Sequence, residues 1–402
     1  MQTQHTSKIF KTLSWTGLGL LASGLVACGG GSGTSSDGTL KLAMTDAPAC
    51  GYDHVYVTVN KIRVHQNATA DGNAAGWSEL SIPAQRIDLL SLNNGVLQEL
   101  GSLPLPAGTY QQVRLVLAPN QPGSLANALV LSGTSDEIAL TTPSAQQSGF
   151  KLQAHFEVLS GQVADMVLDF DACRSIVKAG GSGNYNLKPV VAVIKRLTTA
   201  IQGYVDPLIA ASVVVSTRDP DNNLRATAPD PTTGKFTLAY LPENTNYTVV
   251  VAGQNLTTAA VTNVPVSLAT GVTVINTDLT PIVPLASDMA SVAGVVSNNA
   301  SALLLDAQVS ARQTLSTGQA LDVAWTGVDA TTADYTLSLP LAAAVKAPYV
   351  SGTPLSFSTD SMVAGRYSAT GTATGYTTQS TNPQLDLGAP GSTTVKNLVL
   401  TP

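Results

Sequence analysis

Val55-Tyr56-Val57-Thr58-Val59-Asn60-Lys61-Ile62-Arg63-Val64 alternates branched apolar side chains with polar or amphipathic ones. Neighbouring side chains on a strand point to opposite faces, so Val55, Val57 and Val59 share an apolar face. The apolar phase then moves to Ile62 and Val64, which predicts a β-bulge at Lys61. The same period recurs in Val113, Leu115 and Leu117 with Arg114 facing outward, in Val163 to Phe170, and in Val190 to Leu197. Between them, Ile87, Leu89, Leu90 and Leu92 ahead of Asn93-Asn94-Gly95 leave room for a helical turn or two within 86–100. Residues 39–197 therefore read as one β-rich domain with minor helical insertions.

Of the 402 residues, 44% are apolar and 11% charged. That is too apolar for a disordered chain and too poor in Glu, Lys and Arg for long surface helices. An all-β chain of about two or three domains fits it. The formal net charge is −6 and no basic stripe occurs, so nucleic acid is excluded as a partner.

Beyond Thr198 the chain repeats itself. Ile201-Gln202-Gly203-Tyr204-Val205 returns as Val292-Ala293-Gly294-Val295-Val296, and Lys235-Phe236-Thr237-Leu238 as Asp334-Tyr335-Thr336-Leu337. Each is followed by Leu-Pro and then a Tyr-led strand, at Tyr247 and Tyr367. The offset grows from 91 to 99 and reaches 121 at Leu279-Thr280-Pro281 and Leu400-Thr401-Pro402. The second copy therefore carries insertions, the largest between about Leu341 and Gly365. Two copies of this length are tandem β-sandwich modules, at 198–282 and 291–402, joined by a linker at 283–290.

The start of the chain has a different character. Lys8 and Lys11 precede an apolar run from Trp15 to Val26, which ends in Leu25-Val26-Ala27-Cys28 and a Gly/Ser tract. A charged start, a short apolar core and small residues before a cut mark a secretory signal. The alternative, an uncleaved membrane anchor, is disfavoured because a spanning helix needs about 20 apolar residues. The ending resembles the bacterial lipobox, which implies cleavage after residue 27, acylation of Cys28 and a flexible tether over 28–38. By the same resemblance, Gly29 in place of Asp favours the outer membrane. Cys50 and Cys173 remain as an even pair in an oxidising compartment and are expected to be bridged, the alternative being a catalytic thiol.

Leu42-Ala43-Met44-Thr45-Asp46-Ala47-Pro48, Pro106-Ala107-Gly108-Thr109-Tyr110, Ser148-Gly149-Phe150, Asp169-Phe170-Asp171 and Leu187-Lys188-Pro189 fall in this order. The series resembles the lipoprotein domain of unknown function 4382, which opens with Thr-Asp-Ala-Pro. The resemblance spans nearly all of 39–197 and implies a β-rich envelope domain with no assigned activity. The order Gly-x-Val, Gly-x-Phe/Tyr-x-Leu, Leu-Pro and Tyr-x-Val resembles carboxypeptidase-regulatory-like (transthyretin-like) sandwiches, a structural signature that says little about function.

Asp165, Asp169 and Asp171 share a face of one predicted strand, while Ala164, Met166, Leu168 and Phe170 face the core. Carboxylates two apart repel unless compensated by Ca²⁺, by Arg174 or by Lys188, and a Cys50–Cys173 bridge would draw Asp46 and Asp53 toward them. A solvated acidic face, a Ca²⁺ site and a hydrolytic pair (Asp169 with Asp171) are the three readings. His54, His65 and His155 lie at strand ends or on the surface. Asp219-Pro220-Asp221-Asn222-Asn223 lacks the glycine of a calcium loop and reads as a turn. Trp77 and Trp325 are the mature tryptophans, either packed at edges or serving as sugar platforms. No nucleophile-elbow, zinc-protease, Walker or dinucleotide motif occurs. The chain thus reads as a non-enzymatic cell-envelope lipoprotein held in the membrane by its lipid. It would bind or scaffold an envelope protein or glycan, the alternatives being a carbohydrate-binding module and a hydrolase. No cofactor other than Ca²⁺ is implied.

Overall fold

The Val55–Val64 stretch lies in a strand, Tyr52–His65, that is longer than most and pairs with three others. Its apolar face is fully buried at Val55, Val57, Val59 and Val64. The register slips between Val59 and Lys61 against both Ser78–Asp88 and Gly108–Leu117, so the bulge stands where the phase shift places it. The computed structural model describes residues 37–46, 51–142, 148–382 and 384–402. Among these the protein is mainly β, with helix confined to turns such as Leu89–Leu92 and Ala172–Ser175.

A first body fills Gly38 to Lys195. Its smaller sheet runs in the order Val191–Lys195, Val163–Phe170, Gly38–Asp46, Gln98–Leu105, the central pair being parallel. The larger sheet contains Tyr52–His65. Leu40, Leu42, Met44, Leu168 and Phe170 from the first sheet meet Val57, Ile62 and Leu115 from the second in one core. Arg114 departs from the outward position expected of it. It is 8% exposed, and its guanidinium donates to the carbonyls of Ala70 and Ser148 and to Gln112 Oε1. The 65–77 loop covers that face, so the far side of the strand is sealed with hydrogen bonds rather than water.

The second and third bodies repeat one topology. Ala200–Tyr204 lies between antiparallel Lys235–Ala239 and parallel Val272–Val274. Met289–Asn298 lies in the same way between Asp334–Pro340 and Thr393–Val395. Asn276 Oδ1 accepts from Tyr204 N at 2.7 Å, and Asn397 Oδ1 from Val295 N at 3.0 Å. Gly203 and Gly294 precede these donors because nothing larger fits. A Cβ at Gly294 would stand 2.0 Å from the Lys396 carbonyl oxygen, and one at Gly203 2.6 Å from the Phe236 ring. Three buried tyrosines also share one arrangement: Tyr110, Tyr247 and Tyr367 donate to the carbonyls of Pro106, Pro242 and Pro340. The Leu-Pro before each Tyr-led strand is thereby pinned to the core.

The insertion in the third body has a structural task. Val345–Pro348 leaves its own sandwich and adds in parallel to Ala259–Val266, the edge of the second body's sheet. Val345 joins the second body's core, with Tyr349, Leu355 and Phe357 packed against it. Val250, Ala252 and Ala260 of the second body in turn belong to the third body's core. At the base of this strap, Lys346 Nζ lies 2.7 Å from Asp360 Oδ2, which also accepts from the Ser316 N–H and hydroxyl.

Candidate functional site

The aspartate strand is not a solvated acidic face. In Val163–Phe170 the residues Met166, Leu168 and Phe170 point into the core as expected. The opposite face is covered, and Val167 is fully buried. Asp169, 11% exposed at its side chain, sits 3.1 Å from Arg225 of the second body, whose side chain is 5% exposed. Burial pushes the Asp169 carboxyl up, and the Arg225 charge opposes this. Asp171 caps the helical turn at Ala172 by accepting from Arg174 N and pairs with the Arg174 guanidinium at 2.6 Å. Asp165 lies 3.9 Å from Arg196. Arginines, not one shared cation, face these carboxylates. Among the described residues no group of three or more His, Cys, Asp or Glu side chains is placed to hold a metal.

Asp46, 3% exposed, meets Asp169, Arg225, Asn94 and Tyr240 around a pocket of about 20 Å³ between the first and second bodies. That pocket has room for one water, and Asp169 and Asp171 also border a groove of about 1070 Å³. Asn94 continues the seam by donating to the Ala228 carbonyl and accepting from Thr237 N. The seam between the second and third bodies carries a denser knot. Asp322, 3% exposed at its side chain, receives two bonds from Arg218, at 2.6 and 2.8 Å, and one from Arg312 at 2.9 Å. Between the first and third bodies, Asp329 accepts from the N–H groups of Gly180, Thr331 and Thr332. Burial raises its carboxyl pKa, but these bonds and the Thr331 hydroxyl outweigh burial and pull it down to about 2. None of Arg225, Asp322 or Asp329 stood out in the sequence. The available signal was the placing of Arg218, Arg225 and Arg312 inside alternating strands of a chain with few charges.

The histidines stay apart. His54 pairs with Asp88 at 2.7 Å, His65 bonds the Ala75 carbonyl, and His155 is exposed. Asp219 closes a turn by accepting from Asn223 N. Trp77 is a lid: its N–H donates to the Asp71 carbonyl, and Arg63 and Arg114 lie 4.6 and 5.1 Å from its ring. Trp325 stands in the wall of a cleft of about 600 Å³ between the second and third bodies, with Gly51 and Ser132 of the first at its border. Its indole N–H is buried without a hydrogen-bond partner. The signal segment, the lipobox, Cys28 and Cys50 lie outside the described residues, while Cys173 is buried in the Ala172–Ser175 turn. No helix among the described residues is long and apolar enough to cross a membrane.

The first body's two-sheet frame, from the Thr45-Asp46 strand end to the Leu187-Lys188 approach, coincides with a family match over 37–189, described as Domain of unknown function (DUF4382). Residues 37–189 are a DUF4382 domain. The match ends just before Val191–Lys195, the strand that closes the smaller sheet of the DUF4382 domain. No curated protein matches the chain. Among solved structures the chain is similar to the Bacillus anthracis TIE protein at 13% identity and a TM-score of 0.20, covering 91% of this chain. It spans about half, 51%, of that protein's length. It is also similar to GBS52, the minor pilin of Streptococcus agalactiae, at 10% identity and a TM-score of 0.17, covering 50% of this chain and 95% of that one. A Streptococcal ancillary pilin gives 10% identity and a TM-score of 0.18, covering 90% and 99%. Superpositions this loose carry no argument. What stands of the reading of the C-terminal region is the coarser one, β-rich tandem modules of one topology.

Proposed function

We propose that the chain is a non-enzymatic cell-envelope lipoprotein, anchored through an acylated Cys28, that works as a binding scaffold. The observation that carries this reading is the locking of all three seams. A strand donated by the third body completes the second body's sheet. Arg225–Asp169 ties the second body to the DUF4382 domain, and Asp329 ties that domain to the third body. Locked bodies hold the clefts between them preformed, which lowers the ordering cost of binding. The aspartates that a hydrolase would use are instead engaged by arginines, Asp169 by Arg225 and Asp171 by Arg174. A Cys50–Cys173 bridge belongs to the same reading, supported by the disulfide-bonded state of Cys173. Closing a loop of about 120 residues adds up to about 5 kcal/mol by chain entropy.

The test is membrane fractionation of wild type and Cys28→Ser on a sucrose gradient. Wild type is expected with the outer membrane and Cys28→Ser in the soluble fraction. Membrane association that survives Cys28→Ser refutes the lipid anchor. Thiol titration of the unfolded, unreduced chain from Gly29 onward should find no free thiol, and two would refute the bridge.

A further inference from the structure

The large groove bordering the DUF4382 domain is lined by Lys151, Arg174, Lys188, Asp171 and Asp306 among others. The cleft at Trp325 differs in kind. None of the described residues lining it carries a charge. Val214 and Trp325 supply apolar wall, while Ser132, Gln254 and Ser338 supply hydroxyl and amide groups. Its volume of about 600 Å³ falls within the roughly 300–1,000 Å³ typical of small-molecule sites. Trp325 is half-buried, its indole N–H sealed from solvent and part of its side chain left exposed.

Resting on the binding reading above, we infer that this cleft takes the end of a neutral oligosaccharide. An uncharged wall disfavours ionic ligands, because a buried charge without a partner is costly. The alternation of apolar surface with hydroxyl and amide groups matches a sugar ring, which presents C–H faces between hydroxyls. The part-exposed indole offers a flat apolar surface to one such face. A purely aliphatic ligand would leave Ser132, Gln254 and Ser338 facing apolar atoms.

The test is an array of neutral and acidic glycans probed with the chain from Gly29 onward, which keeps every described residue. Saturable binding to at least one neutral glycan is expected, weakened at least tenfold by Trp325→Ala and by Ala211→Phe. Ala211 is exposed at the cleft's rim, so the larger ring fills space without disturbing a core. Trp325→Phe, which keeps a ring on the strand, should retain part of the binding, and Trp77→Phe should leave it unchanged. Thermal melts of each variant separate lost binding from lost folding. A blank on every neutral glycan overturns the inference, as does neutral binding that survives both Trp325→Ala and Ala211→Phe. Binding restricted to acidic glycans also overturns it, while leaving the binding scaffold in place. Failure of the lipoprotein reading is seen separately, in the fractionation of Cys28→Ser.

Discussion

Replacing Asp329 by Asn removes the anionic lock between the DUF4382 domain and the third body while keeping the side chain's shape. In wild type, Oδ1 accepts from Thr331 N at 2.8 Å, from the Thr331 hydroxyl at 2.7 Å and from Thr332 N at 3.0 Å, and Oδ2 accepts from Gly180 N at 2.8 Å. The amide nitrogen of Asn would meet either the Gly180 or the Thr331 donors, turning an acceptor into a clash of donors. Hydrogen bonding holds the wild-type carboxyl at about 2, against a burial that would raise it from its ordinary 3.8. At about 1.4 kcal/mol per pK unit, and discounted for the water that screens this partly exposed side chain, that difference contributes about 1 kcal/mol at neutral pH. Because the folded value lies below the unfolded one, this stabilisation is full above about pH 4 and drains as pH falls through 2. Thermal melts of wild type and Asp329→Asn from pH 7 to pH 2 read it directly. The variant should melt about 2 °C lower at pH 7, with the gap narrowing steadily below pH 4. A gap that stays constant to pH 2, or no gap at pH 7, would refute the assignment of this carboxylate as an ionised lock.

Each of Tyr110→Phe, Tyr247→Phe and Tyr367→Phe should cost about 1–2 kcal/mol in denaturant unfolding, since each leaves a proline carbonyl with one bond fewer, and a loss near zero at all three would deny them a shared role. Arg225→Met should cost about 3–5 kcal/mol, and Arg225→Met with Asp169→Leu should recover most of it, because the lone buried carboxylate is what destabilises. With its pKa raised by burial, Asp169 in the single variant should make stability fall as pH rises from about 4, a slope absent from the double variant. Val345→Ala should cost about 2 kcal/mol and speed hydrogen exchange in Ala259–Val266, a strand of the neighbouring body; unchanged exchange there would show that the strap is not part of that sheet in solution.

Within a body the sequence is a good guide, because alternation, bulges and turns are local physics. Val55 to Val64 discloses a strand, its buried face and the slip at Lys61, and Met166, Leu168 and Phe170 disclose which face of their strand meets the core. What the far face meets depends on docking, which alternation does not encode. Asp165 and Asp169 therefore read as water-facing when one of them is buried under Arg225 of another body, and Arg114 reads as outward when a loop seals it. The insertion near 341–365 is visible as a growing offset, but its pairing with Ala259–Val266 joins residues some 86 positions apart across a body boundary. Trp77 and Trp325 look equivalent in sequence and separate only in three dimensions, one as a hydrogen-bonded lid and the other as a cleft wall.

The placing of charge argues for where the chain meets other molecules. Only 11% of its residues are charged, and three of its buried or nearly buried acids, Asp169, Asp322 and Asp360, each face a cation across a boundary between bodies or at the base of the strap. A buried ion pair adds little net stability over an apolar contact, but a mispaired one is strongly penalised. Such pairs fix which surfaces dock and in what register more than they strengthen the docking. The seam between the second and third bodies follows this rule at Asp322 and departs from it at Trp325, where the walls carry no charge and separate around about 600 Å³. A boundary that is locked on one side and left open and neutral on the other places the demand for a partner at the open side.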